Sequence, residues 1–181
     1  MSDWRPAATG YRWFKAAVFT LLAWNTATYL QSGSTSEALD SVAWLALLVS
    51  FELETVFGAR WSKGLAGITL RGSRIAAAAA LVAALAGYVQ EAEWLDAVNI
   101  GLWIAVVALL EFEVRRAEIV TRNRLAFTIA AFSLYFGLAA LAGVWLWRGE
   151  WFDAYDAVLW LIAFATLEMD VLGLNRPETH A

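Results

Sequence analysis

The fold is decided by residues 37–54, whose sequence is EALDSVAWLALLVSFELE. This stretch recurs without a gap as DAVNIGLWIAVVALLEFE at residues 96–113, and again as DAYDAVLWLIAFATLEMD at residues 153–170. Each copy opens on an acidic residue, carries a Trp seven residues later, and ends on two acidic residues separated by one apolar residue. Fixed spacing of this kind indicates that one structural unit is used three times.

The repeated unit extends backwards from each copy. An aromatic residue stands eight residues before each opening acid, at Tyr29, Tyr88 and Trp145, and an apolar run precedes it. The unit is therefore a pair of helices. We expect a single transmembrane domain over residues 1–181, with internal repeats at about residues 12–57, 71–116 and 124–173.

The composition places this domain in a membrane. Hydrophobic residues make up 61% of the 181 residues and charged residues 17%, whereas soluble domains average roughly 45–50% and about 25%. The chain has no Cys and one His, His180. Thiolate metal sites, iron–sulfur clusters, haem held by paired imidazoles and cysteine nucleophiles are therefore excluded.

Six apolar stretches predict six crossings, because about 20 helical residues cover a hydrocarbon layer of roughly 30 Å. Polar segments at residues 31–40, 90–96 and 148–156 are expected to be short turns between antiparallel helices. Each repeat crosses the membrane twice, so all three enter in the same direction. We expect an all-α polytopic protein with three parallel two-helix repeats around a pseudo-threefold axis. The stretches are residues 13–30, 42–57, 75–89, 98–114, 125–147 and 158–174.

The cations predict the orientation, since Lys and Arg of short loops stay on the cytoplasmic side. Twelve of the thirteen cations lie before or at the start of the first stretch, between the second and third, between the fourth and fifth, or after the sixth, and only Arg148 lies on the other side. We expect a multi-pass inner-membrane protein with both termini cytoplasmic. The basic start followed by an apolar run also fits a signal peptide, but shared features with later stretches favour a retained helix.

The paired acids form the candidate cation or proton site. A charge at the centre of a membrane helix costs about 2.5–3.5 kcal/mol even on the lenient insertion scale, so these acids should face the bundle or water. Successive acids of a pair differ by about 200° around the helix, and the sequence leaves open which acid faces the axis. The site residues are Glu52, Glu54, Glu111, Glu113, Glu168 and Asp170. A structural alternative is that they pair with nearby Arg residues and fix the helix register.

Two further sets recur near the outer ends of the helices. Asp40, Asn99 and Asp156 are expected to form an outer vestibule. Trp44, Trp103 and Trp160 are expected to be interfacial anchors or packing residues, with a stacking platform for a ligand as the alternative. The Ala-rich run at residues 76–80, with Ala83, Ala84, Ala86 and Gly87, favours close helix contact.

These features predict a cation channel or transporter for protons or a hard divalent cation, because carboxylates suit both. The alternative is a non-catalytic accessory or scaffold subunit of a membrane complex. An enzyme is not expected, since phosphate loops, nucleophile elbows and His metal motifs do not occur in the sequence. No covalent or redox cofactor is expected beyond a bound cation, whose metal is not identified. Expected partners are the lipid bilayer and either a second copy or a complex subunit, and nucleic acid is not expected.

Overall fold

The computed structural model describes residues 5–61 and 65–171. Within these ranges the chain forms seven helices and no strand, so the all-α prediction is confirmed for them. Six of the helices are long, and one is a short helix between the fourth and fifth long ones. The helices are α1 (Arg5–Ser32), α2 (Thr35–Trp61), α3 (Leu65–Glu91), α4 (Trp94–Arg115), α5 (Ala117–Arg122), α6 (Arg124–Arg148) and α7 (Trp151–Val171).

Helix boundaries fall at the same position of each sequence repeat. The first helix of each copy ends at Ser32, Glu91 or Arg148, and the second begins at Thr35, Trp94 or Trp151. Two residues separate the helices in every case. The recurring Trp is consequently the tenth residue of α2, α4 and α7.

The second and third copies close their turns with the same backbone bonds. Ala92 and Gly149 take the left-handed conformation, with φ of 60° and 81°. The next residue, Glu93 or Glu150, donates its N–H to the carbonyl of Tyr88 or Trp145, in both cases at 2.9 Å. This six-to-one bond is typical of a helix that ends in a left-handed residue. In these two copies the backbone carbonyl of the recurring aromatic therefore accepts the hydrogen bond that closes the turn.

The first copy turns in a different way. The N–H of Gly33 bonds to the carbonyl of Tyr29 at 2.9 Å. Ser34 then exchanges two bonds with Glu37: its backbone N–H donates to the Glu37 carboxylate, and its Oγ accepts the Glu37 N–H at 3.2 Å. This reciprocal pattern is a capping box, which satisfies two otherwise unpaired N–H groups at the start of α2.

The turns are shorter than the polar segments predicted. Glu37, Asp96 and Asp153 lie in the first turn of α2, α4 and α7 rather than in the loops. The positive end of the helix dipole stabilises an acid at that place. The acid that opens each sequence repeat is therefore a helix-start residue.

Three described helical segments are long and apolar enough to cross a membrane: Gly67–Glu91 of α3, all of α4, and all of α6. At 1.5 Å per residue, the 22 residues of α4 span about 33 Å, close to the roughly 30 Å hydrocarbon layer. These segments are typical of a membrane protein. The short helix α5 was not predicted, and residues 172–174 of the last predicted stretch lie outside the described ranges.

Residues 23–134 form one compact unit. Its helices α2 and α3 run antiparallel, because contacts pair the start of one with the end of the other. Ser36 near the start of α2 bonds Glu91 at the end of α3 at 2.8 Å, and Ser50, farther along α2, lies 3.2 Å from Ser73, which is nearer the start of α3. Helix α3 also packs against α4.

The second compact unit contains the described parts of Met1–Leu22 and Tyr135–Ala181. Trp160 is buried there, and its ring lies 6.3 Å from that of Phe164. Tyr11 of α1 donates a hydrogen bond to the Thr166 carbonyl at 3.3 Å. This hydrogen bond joins α1 to α7.

Candidate functional site at the two ends of α2 and α4

A tryptophan contact joins α2 to α4 in the unit of residues 23–134. The rings of Trp44 and Trp103 lie 6.3 Å apart with a tilt of 60°. Both are buried, with 6% and 3% of their surface exposed. Tilted pairs at this distance stabilise by about 0.5–1.5 kcal/mol beyond their area burial. Equivalent positions of two repeats thus meet, and their packing is that of core residues.

A polar cluster lies one turn above the tryptophans, towards the start of α2. Tyr88, buried near the end of α3, donates its hydroxyl to Asp40 Oδ2 over 3.4 Å. Glu37 lies in the first turn of α2, one turn before Asp40, and Asp96 lies in the first turn of α4. We call Glu37, Asp40, Tyr88 and Asp96 the outer cluster. It brings together acids from α2 and α4 around one phenol of α3.

Asn99 occupies in α4 the place that Asp40 has in α2. Its Oδ1 is buried and accepts no hydrogen bond within the described part of the chain. Of the three predicted vestibule residues, Asp40 belongs to the outer cluster and Asn99 lies in the same compact unit. The third, Asp156, is half-buried in α7 and belongs to the other unit.

The inner acids of the first repeat differ in exposure. Glu52 is half-buried, whereas the Glu54 side chain is 54% exposed and forms an ion pair with Arg74 of α3. The Arg74 guanidinium also lies 4.5 Å from the centre of the Phe51 ring. A cation over an aromatic face is stabilised by about 0.5–1 kcal/mol at exposed sites. Arg74 is thereby held between two side chains of α2.

The inner acids of the second repeat show the reverse order. Glu111 is exposed and pairs with Arg115 one turn later on the same helix, while Glu113 is half-buried. Glu54 of the first repeat and Glu111 of the second are thus each paired with an Arg. Exposed ion pairs of this kind contribute about 0–1 kcal/mol.

The third pair lies at the end of α7. Glu168 and Asp170 belong to the helix, but their side chains lie outside the described residues. Within the described side chains, no group of three or more His, Cys, Asp or Glu residues is arranged to hold a metal ion.

Two residues of this site were not singled out from the sequence. The sequence predicts that Tyr88 lies near the end of a helix and that Arg74 belongs to a cytoplasmic connection. It predicts no contact of either residue with an acidic side chain. Both assignments follow from the antiparallel packing of α2 against α3, which places residue 88 opposite residue 40, and residue 74 opposite residue 54. The register between α2 and α3 depends on the length of the connection between them, which the repeat pattern does not specify.

Comparison with known proteins returns no match to a protein-family model, to a curated protein or to a solved structure.

Proposed function

We propose that this protein is a multi-pass inner-membrane protein that passes protons or hard cations along the helices bearing the repeated carboxylates. In this proposal both termini are cytoplasmic and the six long helices are crossings, arranged as three parallel hairpins around a pseudo-threefold axis. Its orientation rests on the charge asymmetry of the loops.

The observation that carries the proposal is the Trp44–Trp103 contact. It sets α2 beside α4 with equivalent positions facing one another. Carboxylates then stand at both ends of this helix pair, with the outer cluster at one end and the acids at positions 52, 54, 111 and 113 at the other. Acids at both ends of one path provide places to take up and release a cation.

The packing between those ends favours a proton over a hydrated ion. Trp44, Trp103 and Ile100 are buried in the layer below the outer cluster. A hydrated divalent cation would need this layer to open, because Mg²⁺ and Ca²⁺ keep six or more oxygen ligands. A proton needs only a chain of titratable groups and water.

Ion flux into liposomes tests the proposal. Protein carrying Glu52→Gln, Glu111→Gln and Glu168→Gln together should pass protons at least about tenfold more slowly than wild type, a barrier increase of about 1.4 kcal/mol. Glu118→Gln removes one exposed carboxylate of α5 and serves as the matched control. Its flux should equal that of wild type.

The same liposomes, loaded with a dye for divalent cations, separate the two kinds of cargo. Equal proton flux in wild type and the triple variant, or no flux of either cation in wild type under an imposed gradient, contradicts the proposal. Flux of divalent cations without flux of protons would support a cation pathway but show that the proton is not the transported ion.

Cysteine labelling tests the topology. Because the sequence contains no Cys, each introduced Cys is the only thiol of the chain that the reagent can label. Single cysteines placed at Thr121 in α5 and at Glu150 in the turn before α7 report opposite sides of the membrane. In intact cells an impermeant thiol reagent should label the second and not the first. The reverse labelling, or labelling of both, contradicts the proposed orientation.

The ion pairs favour a second candidate function, an accessory or scaffold subunit of a membrane complex. Glu54 and Glu111 are each paired with an Arg, so bracing alone accounts for two of the acids. In that case the triple variant Glu52→Gln, Glu111→Gln and Glu168→Gln should be less stable than wild type but show the same flux. Mild purification should yield a hetero-complex of fixed stoichiometry. Isolation as a homogeneous monomer or homo-oligomer would argue against it.

A further inference from the structure

The connection from α4 to α6 carries four arginines within ten residues: Arg115, Arg116, Arg122 and Arg124. They stand in two pairs around the two breaks of the helical path, which fall at Arg116 and at Asn123. The six residues of α5 between the breaks extend about 9 Å. The connection therefore presents cations at both ends of a short helix.

This segment is fixed in place by the helices that it joins. The rings of Phe112, near the end of α4, and Phe127, in the first turn of α6, are stacked at 5.5 Å with an angle of 17°. Asn123 contributes by bonding its side-chain amide to the Ile119 carbonyl at 3.1 Å. The ends of α4 and α6 thus meet, and α5 lies at the end of two apolar helices that can each cross a membrane.

Helix electrostatics account for some of these cations but not for others. Arg115 and Arg122 lie in the last turns of α4 and α5, where the helix dipole stabilises a positive charge. Arg124 is the first residue of α6, where a positive charge is disfavoured. Arg116 stands both at the end of α4 and at the start of α5, so the two helix dipoles act on it in opposite directions. The helix dipoles therefore supply no net counter-charge to Arg116 or Arg124.

The described part of the protein does not supply that counter-charge. Arg115 is paired with Glu111, but within the described residues Arg116, Arg122 and Arg124 form no ion pair within 4.0 Å, and all three are exposed. Ile119 and Leu125 beside them are also exposed, at 44% and 74%. Exposed apolar side chains among arginines are typical of a segment that lies at the lipid–water boundary.

We propose that the α4–α6 connection binds the phosphate headgroup of an anionic phospholipid through Arg116, Arg122 and Arg124, with Ile119 and Leu125 set against the acyl chains. Guanidinium groups bind phosphate oxygens in a bidentate manner. Basic groups next to a membrane helix attract anionic lipid with about 1 kcal/mol per residue, or about fivefold in affinity. The proposal rests on the membrane placement proposed above, but not on cation flux.

Native mass spectrometry of the full-length protein in mild detergent, titrated with phosphatidylglycerol or phosphatidylcholine, measures this binding. Wild type should retain phosphatidylglycerol at least about tenfold more tightly than phosphatidylcholine, as two or more arginines would give. Arg116→Gln, Arg122→Gln and Arg124→Gln together should abolish that preference. The three Lys variants together should keep most of it, which controls for folding. Arg148→Gln, which removes an exposed cation at the end of α6, should leave it unchanged.

A gain-of-charge variant keeps the test valid if the triple Gln protein does not fold. Thr121→Arg adds a cation at an exposed position of α5 and should increase the preference about fivefold. An unchanged preference in both the triple Gln variant and Thr121→Arg would overturn the proposal. Displacement of phosphatidylglycerol by millimolar inorganic phosphate would overturn it too, since the site would then bind a free anion. Loss of lipid preference with normal proton flux would leave the proposed function standing.

Discussion

Helix α3 lies close to α2 at Gly87, which offers a direct way to perturb the packing of the two helices. A Cβ built there would overlap Ser36 Oγ and lie 3.2 Å from Ser36 Cβ. Ser36 is buried and donates to Glu91 Oε1 at 2.8 Å. The Gly87→Ala variant must therefore either separate the two helices or rotate Ser36 away from Glu91.

Three free-energy effects decide the outcome for Gly87→Ala. Ala is favoured over Gly within a helix by about 1 kcal/mol. Overpacking at a close contact costs about 1–3 kcal/mol. Loss of the Ser36–Glu91 hydrogen bond costs about a further 1 kcal/mol, and more if the buried hydroxyl is left without a partner. The variant should lose about 1–3 kcal/mol of unfolding free energy.

Unfolding in mixed detergent micelles, followed by Trp fluorescence, measures this loss. Gly143→Ala is the matched control, because a Cβ there meets nothing within 4 Å in a helix of similar length. It should stabilise by about 0.5–1 kcal/mol. Adding Ser36→Gly to Gly87→Ala removes both crowded atoms, so the double variant should be more stable than Gly87→Ala alone. If Gly87→Ala stabilises as much as Gly143→Ala, the close approach of α2 and α3 is wrong.

Two further predictions use matched positions in different repeats. Ala92 and Gly149 occupy the same left-handed place in their turns. That conformation costs about 1–2 kcal/mol for a residue with a Cβ. In the same unfolding assay Ala92→Gly should therefore stabilise the protein, and Gly149→Ala should destabilise it, by about 1 kcal/mol each. Changes of equal sign in the two variants would contradict the turn assignment. Trp103→Ala removes a buried ring and should cost about 3–5 kcal/mol, whereas Trp147→Ala, at a side chain 92% exposed, should cost less than about 1 kcal/mol. Equal losses would show that Trp103 is not a core residue.

Much of the fold was predictable because the repeat carries its own boundary signals. The acid that opens each copy stabilises a helix start, and the aromatic before it lies three residues before the end of the previous helix. The extent of the turns was predicted wrongly because polarity was taken as the sign of a loop. Glu37 and Asp96 are polar and yet helical, since the first turn of a helix leaves backbone N–H groups that an acid satisfies.

The candidate site was predictable only as a set of positions. The sequence places Asp40 and Asn99 at one end of their helices, and the acid pairs at the other. It could not assign Glu54 to Arg74, because that pair depends on the register between α2 and α3. It also could not show that Glu54 pairs with an Arg of another helix whereas Glu111 pairs with an Arg of its own helix, since identical spacing predicts identical roles.

Composition, periodicity and spacing alone determined that the described residues are all-helical, that the chain is apolar enough for a membrane, and that one sequence pattern recurs three times. They did so because helix geometry, the length of an apolar run and helix-end preferences are local properties of the chain. Only the tertiary structure decided that Tyr88 meets Asp40, that Trp44 meets Trp103, and that Arg116, Arg122 and Arg124 are left exposed without a described ion pair. Those facts depend on how helices distant in sequence are set against one another, which follows from the packing of whole side-chain surfaces rather than from any single stretch.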